Sequence, residues 1–141
     1  MTKSSDDRAI LAANRAFYAA FESLDLDKMA EVWLQEGSIT CVHPGWARLA
    51  GWGPVMKSWE DIFASAFRVE ITVTDETVRS TGDLAWVTCT EHLETHGYDG
   101  VSHGAVEATN IFERRDGKWY VVHHHGSPLV RSPETGSEQL Q

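Results

Sequence analysis

The hydrophobic period of this chain changes once, from helical spacing in its first half to strict alternation in its second, and that change restricts the folds open to it. From Val69 onward, Val69, Ile71 and Val73 alternate with Glu70, Thr72 and Thr74, and the strand is expected to run to Val78. Gly82-Asp83 reads as a turn, Leu84 to Thr95 as the next strand, His96 to Gly100 as a loop and Val101 to Arg114 as another long strand. Asp116-Gly117 is a hairpin signal, because both central residues of such a turn need positive φ, and Lys118 to Gly126 is the last strand. Strands of about ten residues span roughly 33 Å each, so the sheet must curl to bury one face inside a small domain.

The first half supplies what the sheet curls around. Between Asp6 and Leu24, the residues Ile10, Asn14, Phe17, Phe21 and Leu24 recur at helical spacing, with Leu11 and Tyr18 widening the stripe and Ser4 as a cap against Asp7. A second helix fits Asp27 to Leu34, with Met29, Val32 and Trp33 on one face. Ser38 to His43 is a short strand running into a loop that carries Trp46, Leu49 and Trp52. Pro54 then suits the first turn of a third helix, in which Val55, Trp59, Ile62, Phe63 and Ala66 share a face through Phe67. The order predicts an α+β fold: a cone-shaped, curved mixed or antiparallel sheet wrapped around three N-terminal helices.

Composition narrows the function classes. With 141 residues the chain has room for a single domain, expected over 1–130, and the polar stretch from Arg131 to Gln141 is expected to be a disordered tail. Twelve basic residues against 21 acidic ones give a net charge of −9, which opposes binding to nucleic acid or to an anionic membrane surface. No apolar run approaches the roughly 20 residues that cross a bilayer, and the opening MTKSSDDRAI lacks a secretory layout, so a cytoplasmic location is expected. Cys41 and Cys89 are too few for a disulfide framework and read as small hydrophobes on strands. Six Trp and seven His are the unusual load, and they hint at a lined pocket.

Three stretches, CVHPGW with the following Gly51 and Trp59, GDLAWVTCTEH, and ATNIFERRDGKWYVVHHHGSPL, resemble the nuclear transport factor 2-like superfamily, specifically its SnoaL-like branch. The last stretch is also similar to the association domain of calcium/calmodulin-dependent protein kinase II. The resemblance covers about Asp6 to Leu129 and implies the cone fold. It leaves function open, because that superfamily includes isomerases, cyclases, dehydratases, oxygenase subunits and non-catalytic scaffolds. At the positions where the kinase domain lines its pocket with arginines, this chain carries Glu91, Asn110 and Gly126, so an anionic ligand held in that manner is not implied.

Strand alternation divides the last strand into Trp119, Val121, His123, His125 on one face and Tyr120, Val122, His124 on the other. Both sets are apolar near the hairpin, so one face is expected to meet the helices and the other a second copy of the chain, in a homodimer packed through the sheet. Glu91 is the candidate general base, since a carboxylate inside an apolar cone has its pKa raised, and the alternative is a Glu that faces solvent or pairs across strands. His123 and His125 are candidate proton carriers, against the alternative of a histidine ladder at the strand end. Asn110, with Phe112 on its face, is placed to orient a ligand; the alternative is an amide bonded only to its neighbours.

His43 and Trp46 of the HPGW loop, with Trp59, are candidate walls for a small cyclic or aromatic molecule. Tyr18 and His103 complete the candidate ligand set. No cofactor is expected, and a metal held by His123-x-His125 with His43, His103 or Glu91 stands as a lesser reading for want of a fixed third ligand. Three functions remain open: a cofactor-independent isomerase, cyclase or dehydratase; a non-catalytic binding or assembly module; and a metal-dependent lyase or oxygenase.

Overall fold

The computed structural model of the protein describes residues 4–130. The tail expected from Arg131 to Gln141 lies outside the described residues. Three helices, α1 (Ser5–Ser23), α2 (Leu26–Val32) and α3 (Trp52–Ala64), pack against a sheet built from β1 (Thr40–Val42), β2 (Leu49–Ala50), β3 (Ala66–Thr81), β4 (Leu84–Gly97), β5 (Gly100–Arg115) and β6 (Lys118–Pro128). The sheet runs β2-β1-β6-β5-β4-β3, antiparallel except that β1 lies parallel to β6. None of the described helices is long and apolar enough to cross a membrane.

Local chemistry sets the helix boundaries. Ser4 Oγ accepts the Asp7 amide at 3.0 Å and caps α1, satisfying an amide that has no partner inside the helix. At the other end Leu24 takes a left-handed conformation (φ 55°) and Asp25 caps α2 through the amides of Asp27 and Lys28. α2 stops at Val32 rather than Leu34, because the Trp33 backbone bridges Val121 and the Leu34 amide donates to the Val121 carbonyl at 3.0 Å. α3 likewise ends at Ala64, short of the expected Phe67. Ser65 closes it onto the Ile62 carbonyl, and Ala66 is already paired with Gly97 in the sheet. Phe67 is therefore an exposed strand residue. The loop expected to carry Leu49 contains a two-residue strand, β2, paired with β1.

The core lies between the helices and the concave face of the sheet. Phe17, Trp33 and Trp59 are fully buried, and Phe17 meets both indoles edge-on at centroid distances of 6.3 and 5.7 Å. The β3 edge is not left bare: Glu22 of α1 accepts the Ile71 amide at 2.7 Å, filling a hydrogen bond that another strand would otherwise seek.

Two bulges decide which polar residues face inward. In β3, Thr74 pairs with Thr90 and Thr77 with Thr88, so Asp75 and Glu76 together oppose Cys89; Asp75 accommodates this at φ 57°. In β6, Val121 pairs with Phe112 but His123 pairs with Ile111, so Val122 is one residue too many. The extra residue reverses the alternation beyond it. The faces expected for the strand are corrected accordingly: Trp119, Val121 and His124 point inward, while His123 and His125 lie on the outer face.

Candidate functional site

The inward residues of three strands and one helix meet in a buried polar cluster. Alternation along β4 brings Val87, Cys89 and Glu91 to the concave face, and β5 places Ala108, Asn110 and Phe112 beside them. α1 contributes Asn14 and Tyr18, one turn apart on its buried stripe, and β6 contributes His124 through its bulge. All of these polar side chains are at least nine-tenths buried.

Their hydrogen bonds form one connected set. Asn110 Nδ2 donates to Asn14 Oδ1 at 2.8 Å and to the Tyr18 hydroxyl at 3.1 Å. That leaves the Asn110 carbonyl oxygen facing His124 Nδ1 at 2.5 Å, so in the neutral ring Nδ1 carries the proton and Nε2 keeps its lone pair. Tyr18 donates to Glu91 Oε2 at 2.5 Å, and Asn14 Nδ2 donates to Glu76 Oε2 at 2.9 Å. Donors thus run in one direction, from the imidazole through two amides and a phenol to two carboxylates.

Burial sets the charge states. Glu91 is pushed up to about 7 by loss of solvent, with the Tyr18 hydroxyl pulling modestly the other way. His124 is driven down to about 3 by burial and by the neighbouring imidazoles of His43, His123 and His125. The Tyr18 phenol is shifted upward, first by burial and then by the Glu91 charge, and Cys89 rises to about 11 through burial. At neutral pH the cluster therefore holds a neutral imidazole, a phenol, a thiol and one carboxyl group poised to gain or lose a proton.

A second buried pair lies alongside. His43 Nε2 is 2.8 Å from Ser58 Oγ, and Ser58 donates to the Val55 carbonyl, so Ser58 accepts from His43. Burial lowers His43 to about 4 and raises the Cys41 thiol beside it to about 12. The rings of Trp46, Trp59 and His124 surround His43 at centroid distances of 4.9, 4.7 and 6.2 Å. Trp59 Nε1 is buried without a hydrogen-bond partner. The rings expected to wall a cavity thus pack on one another.

Solvent approaches the polar cluster from the side, along a groove of about 270 Å³ between α1 and β3 lined by Arg15, Tyr18, Ala19, Glu22, Ile71, Val73 and Glu76. Tyr18, which lines this groove, is hydrogen-bonded to Glu91, and Val73, also in the lining, is the strand partner of Glu91, so the carboxyl lies behind these two residues.

The structure brings Glu91, Asn110 and Tyr18 together, with His43 and Trp59 packed against each other alongside and Phe112 fully buried on the same strand face as Asn110. It sets His123, His125 and His103 apart. His123 is held by Thr40 Oγ1 at 2.6 Å, and exposed His103 pairs with Glu94. Four residues of the two clusters escaped sequence reasoning: Asn14, Glu76, His124 and Ser58. Asn14 and Ser58 had a visible signal, a polar residue on an otherwise apolar helical stripe. Glu76 and His124 had none, because each depends on a bulge.

The helices and the curled sheet define the α+β cone of the NTF2-like and cystatin-like folds. The chain belongs to the SnoaL-like domain family, which it matches over residues 10–131. A provisionally assigned dehydratase of the NTF2-like family from Streptomyces avermitilis is similar to it with a TM-score of 0.85 and 36% identity, over 90% of this chain and 98% of that one. A protein from Thiobacillus denitrificans, provisionally assigned as a calcium/calmodulin-dependent protein kinase type II association domain, is 37% identical with a TM-score of 0.70, over 84% of this chain and 93% of that one. The F-box protein SKIP8 of Arabidopsis thaliana is 31% identical over 123 residues, 87% of this chain and 51% of that protein. The chain therefore spans about half the length of that curated relative.

Proposed function

We propose that the protein binds a small cyclic or aromatic molecule over the Tyr18–Glu91 pair and moves a proton on it without a cofactor, as an isomerase, cyclase or dehydratase does. One observation carries this reading: a carboxyl group held near neutrality inside the fold, hydrogen-bonded at 2.5 Å to a phenol beneath a side groove. Glu91 as carboxylate takes the proton from carbon next to a carbonyl; once protonated it no longer needs the Tyr18 hydrogen bond, and the Tyr18 hydroxyl turns its one proton from Glu91 to the oxygen where charge develops. In a dehydration, the proton then leaves with the departing hydroxyl group as water, and Glu91 returns to its carboxylate form. Asn110 holds Tyr18 and, through its carbonyl, the neutral His124. The similarity to a provisionally assigned dehydratase supports this chemistry among the three expected classes.

Incubation of the protein with a panel of cyclic β-hydroxy ketones, read by mass spectrometry for loss of water and by NMR for isomerisation, tests the reading. Conversion that disappears in Glu91→Gln supports it. Conversion that survives in that variant removes Glu91 from the chemistry.

The second reading, a binding or assembly module, draws on the similarity to a provisionally assigned kinase association domain. In either case we propose a homodimer through the outer face of the sheet, where Trp86, Ile111, Tyr120 and Val122 are half-buried in a single chain. Sedimentation of the purified chain at micromolar concentration checks this, with a monomer as the contrary result.

A further inference from the structure

On the outer face of the sheet, opposite the face that carries the buried cluster, four metal-ligating side chains come from three adjacent strands. Glu70 of β3 stands opposite Glu94 of β4, and Glu94 stands opposite His103 of β5, so three donors form one rank across the sheet. His96 lies two residues beyond Glu94 on the same face. Glu94 joins the histidines, with Oε2 at 2.7 Å from His96 Nε2 and Oε1 at 3.1 Å from His103 Nε2. The donor atoms of Glu70, Glu94 and His96 all lie within 4.8 Å of one another.

We propose that Glu70, Glu94 and His96, with His103 as a fourth donor, bind a borderline divalent cation of the Zn²⁺ type. The donor set is the first reason: imidazole nitrogen with carboxylate oxygen suits Zn²⁺ and its first-row neighbours, whereas a site for Mg²⁺ or Ca²⁺ is built from oxygen. Charge is the second. Two carboxylates converge here, and the Arg68 guanidinium paired with Glu70 offsets one of them. Reach is the third. Zinc ligands at about 2.0–2.2 Å lie about 3.4 Å from each other in a tetrahedron. Closing from within 4.8 Å calls for side-chain rotation, and the Glu70 and His103 side chains are 49% and 71% exposed, so each is held by its charged partner and not by packing.

The same geometry specifies what binding displaces. Each imidazole must shift its proton to Nδ1 and turn the Nε2 lone pair from Glu94 to the ion, and Glu70 must leave Arg68. The ion then ties β3, β4 and β5 together near the turn between β4 and β5. This site shares no residue with the Tyr18–Glu91 cluster, so it stands or falls independently of the proposed proton transfer.

Calorimetric titration of the full chain with Zn²⁺ at pH 7.5, with bound metal counted after dialysis, tests the site. One saturable equivalent is expected, weakened at least about tenfold in Glu94→Gln and in His96→Ala. Arg68→Ala should tighten it, because the guanidinium competes for Glu70. All three changes lie on the outer face, and circular dichroism without metal checks that each variant is folded. Unchanged uptake in the Glu94→Gln, His96→Ala double variant overturns the proposal, as does uptake that vanishes in a His123→Ala, His125→Ala variant. Absence of saturable binding overturns it outright.

Discussion

The two faces of the sheet use the same residue types in opposite ways. Inside, His43 and His124 are each fixed by a neutral partner, Ser58 and the Asn110 carbonyl, and burial keeps both rings uncharged well below neutral pH. Outside, His92, His96, His103 and His123 face threonine or glutamate across or along the strands, in reach of water. The acids divide likewise. Inner Glu91 is raised to about 7 by burial, while outer Glu94 is held below the usual carboxylate range by hydrogen bonds from His96 and His103. Position relative to the core, rather than residue type, decides whether a carboxyl group here is raised by burial or lowered by its hydrogen-bond partners.

The largest effect expected from that contrast is on turnover. Removing the proton acceptor in Glu91→Gln should lower any conversion by about 10²- to 10⁴-fold, while the Tyr18 hydrogen bond survives and the fold persists. An equal loss on changing an outer carboxylate such as Glu94 would break the distinction between the faces.

Stability should separate them next. Asn110→Ala strips partners from His124 Nδ1, Asn14 Oδ1 and the Tyr18 hydroxyl at once, and about 3 kcal/mol should be lost in urea unfolding.

The pH dependence sharpens the comparison further. In the folded state Glu91 binds its proton more tightly than in the unfolded chain, so between its ordinary value of 4.5 and about 7 it favours folding at low pH and that contribution is lost as pH rises. The depressed histidines act in the other direction, and their contribution is lost as pH falls from 6.5 towards about 4 for His43 and about 3 for His124. Glu91→Gln removes the first effect alone. Relative to the parent protein, the variant should therefore be more stable at pH 8 than at pH 4.5, by about 3 kcal/mol between those limits. A flat difference across that range would mean that Glu91 titrates as an ordinary surface acid.

Smaller effects complete the series. Ser58→Ala removes the partner of a buried imidazole and should cost about 1 kcal/mol. His92→Ala on the outer face gives up an exposed contact with Thr74 and should change stability by less than about 0.5 kcal/mol.

Much of this was legible in the chain, for reasons that differ from element to element. The β5–β6 hairpin was readable because Asp116 and Gly117 both adopt positive φ, which few other residue pairs tolerate. Glu91 and Asn110 could each be grouped with their same-face neighbours by unbroken alternation on β4 and β5, where the register between the two strands holds from end to end, but which of the two faces looks inward was not legible. His124 was misplaced because alternation was carried through Val122, where the chain inserts an extra residue. The helix ends moved for a similar reason: Trp33 and Ala66 are drawn into contacts with residues distant in sequence, and no local propensity reports those.

The sequence by itself determined the element order and the α+β cone, and offered Glu91 and Asn110 as candidates without deciding which strand face looks inward, because periodicity and turn chemistry are local properties of the chain. Only the tertiary structure decided which histidine faces inward, that Glu76 joins the cluster, and that aromatic rings fill the space they were expected to enclose. Bulges and ring packing depend on how strands and helices far apart in the chain meet, and the energies that select them arise only when both surfaces are present.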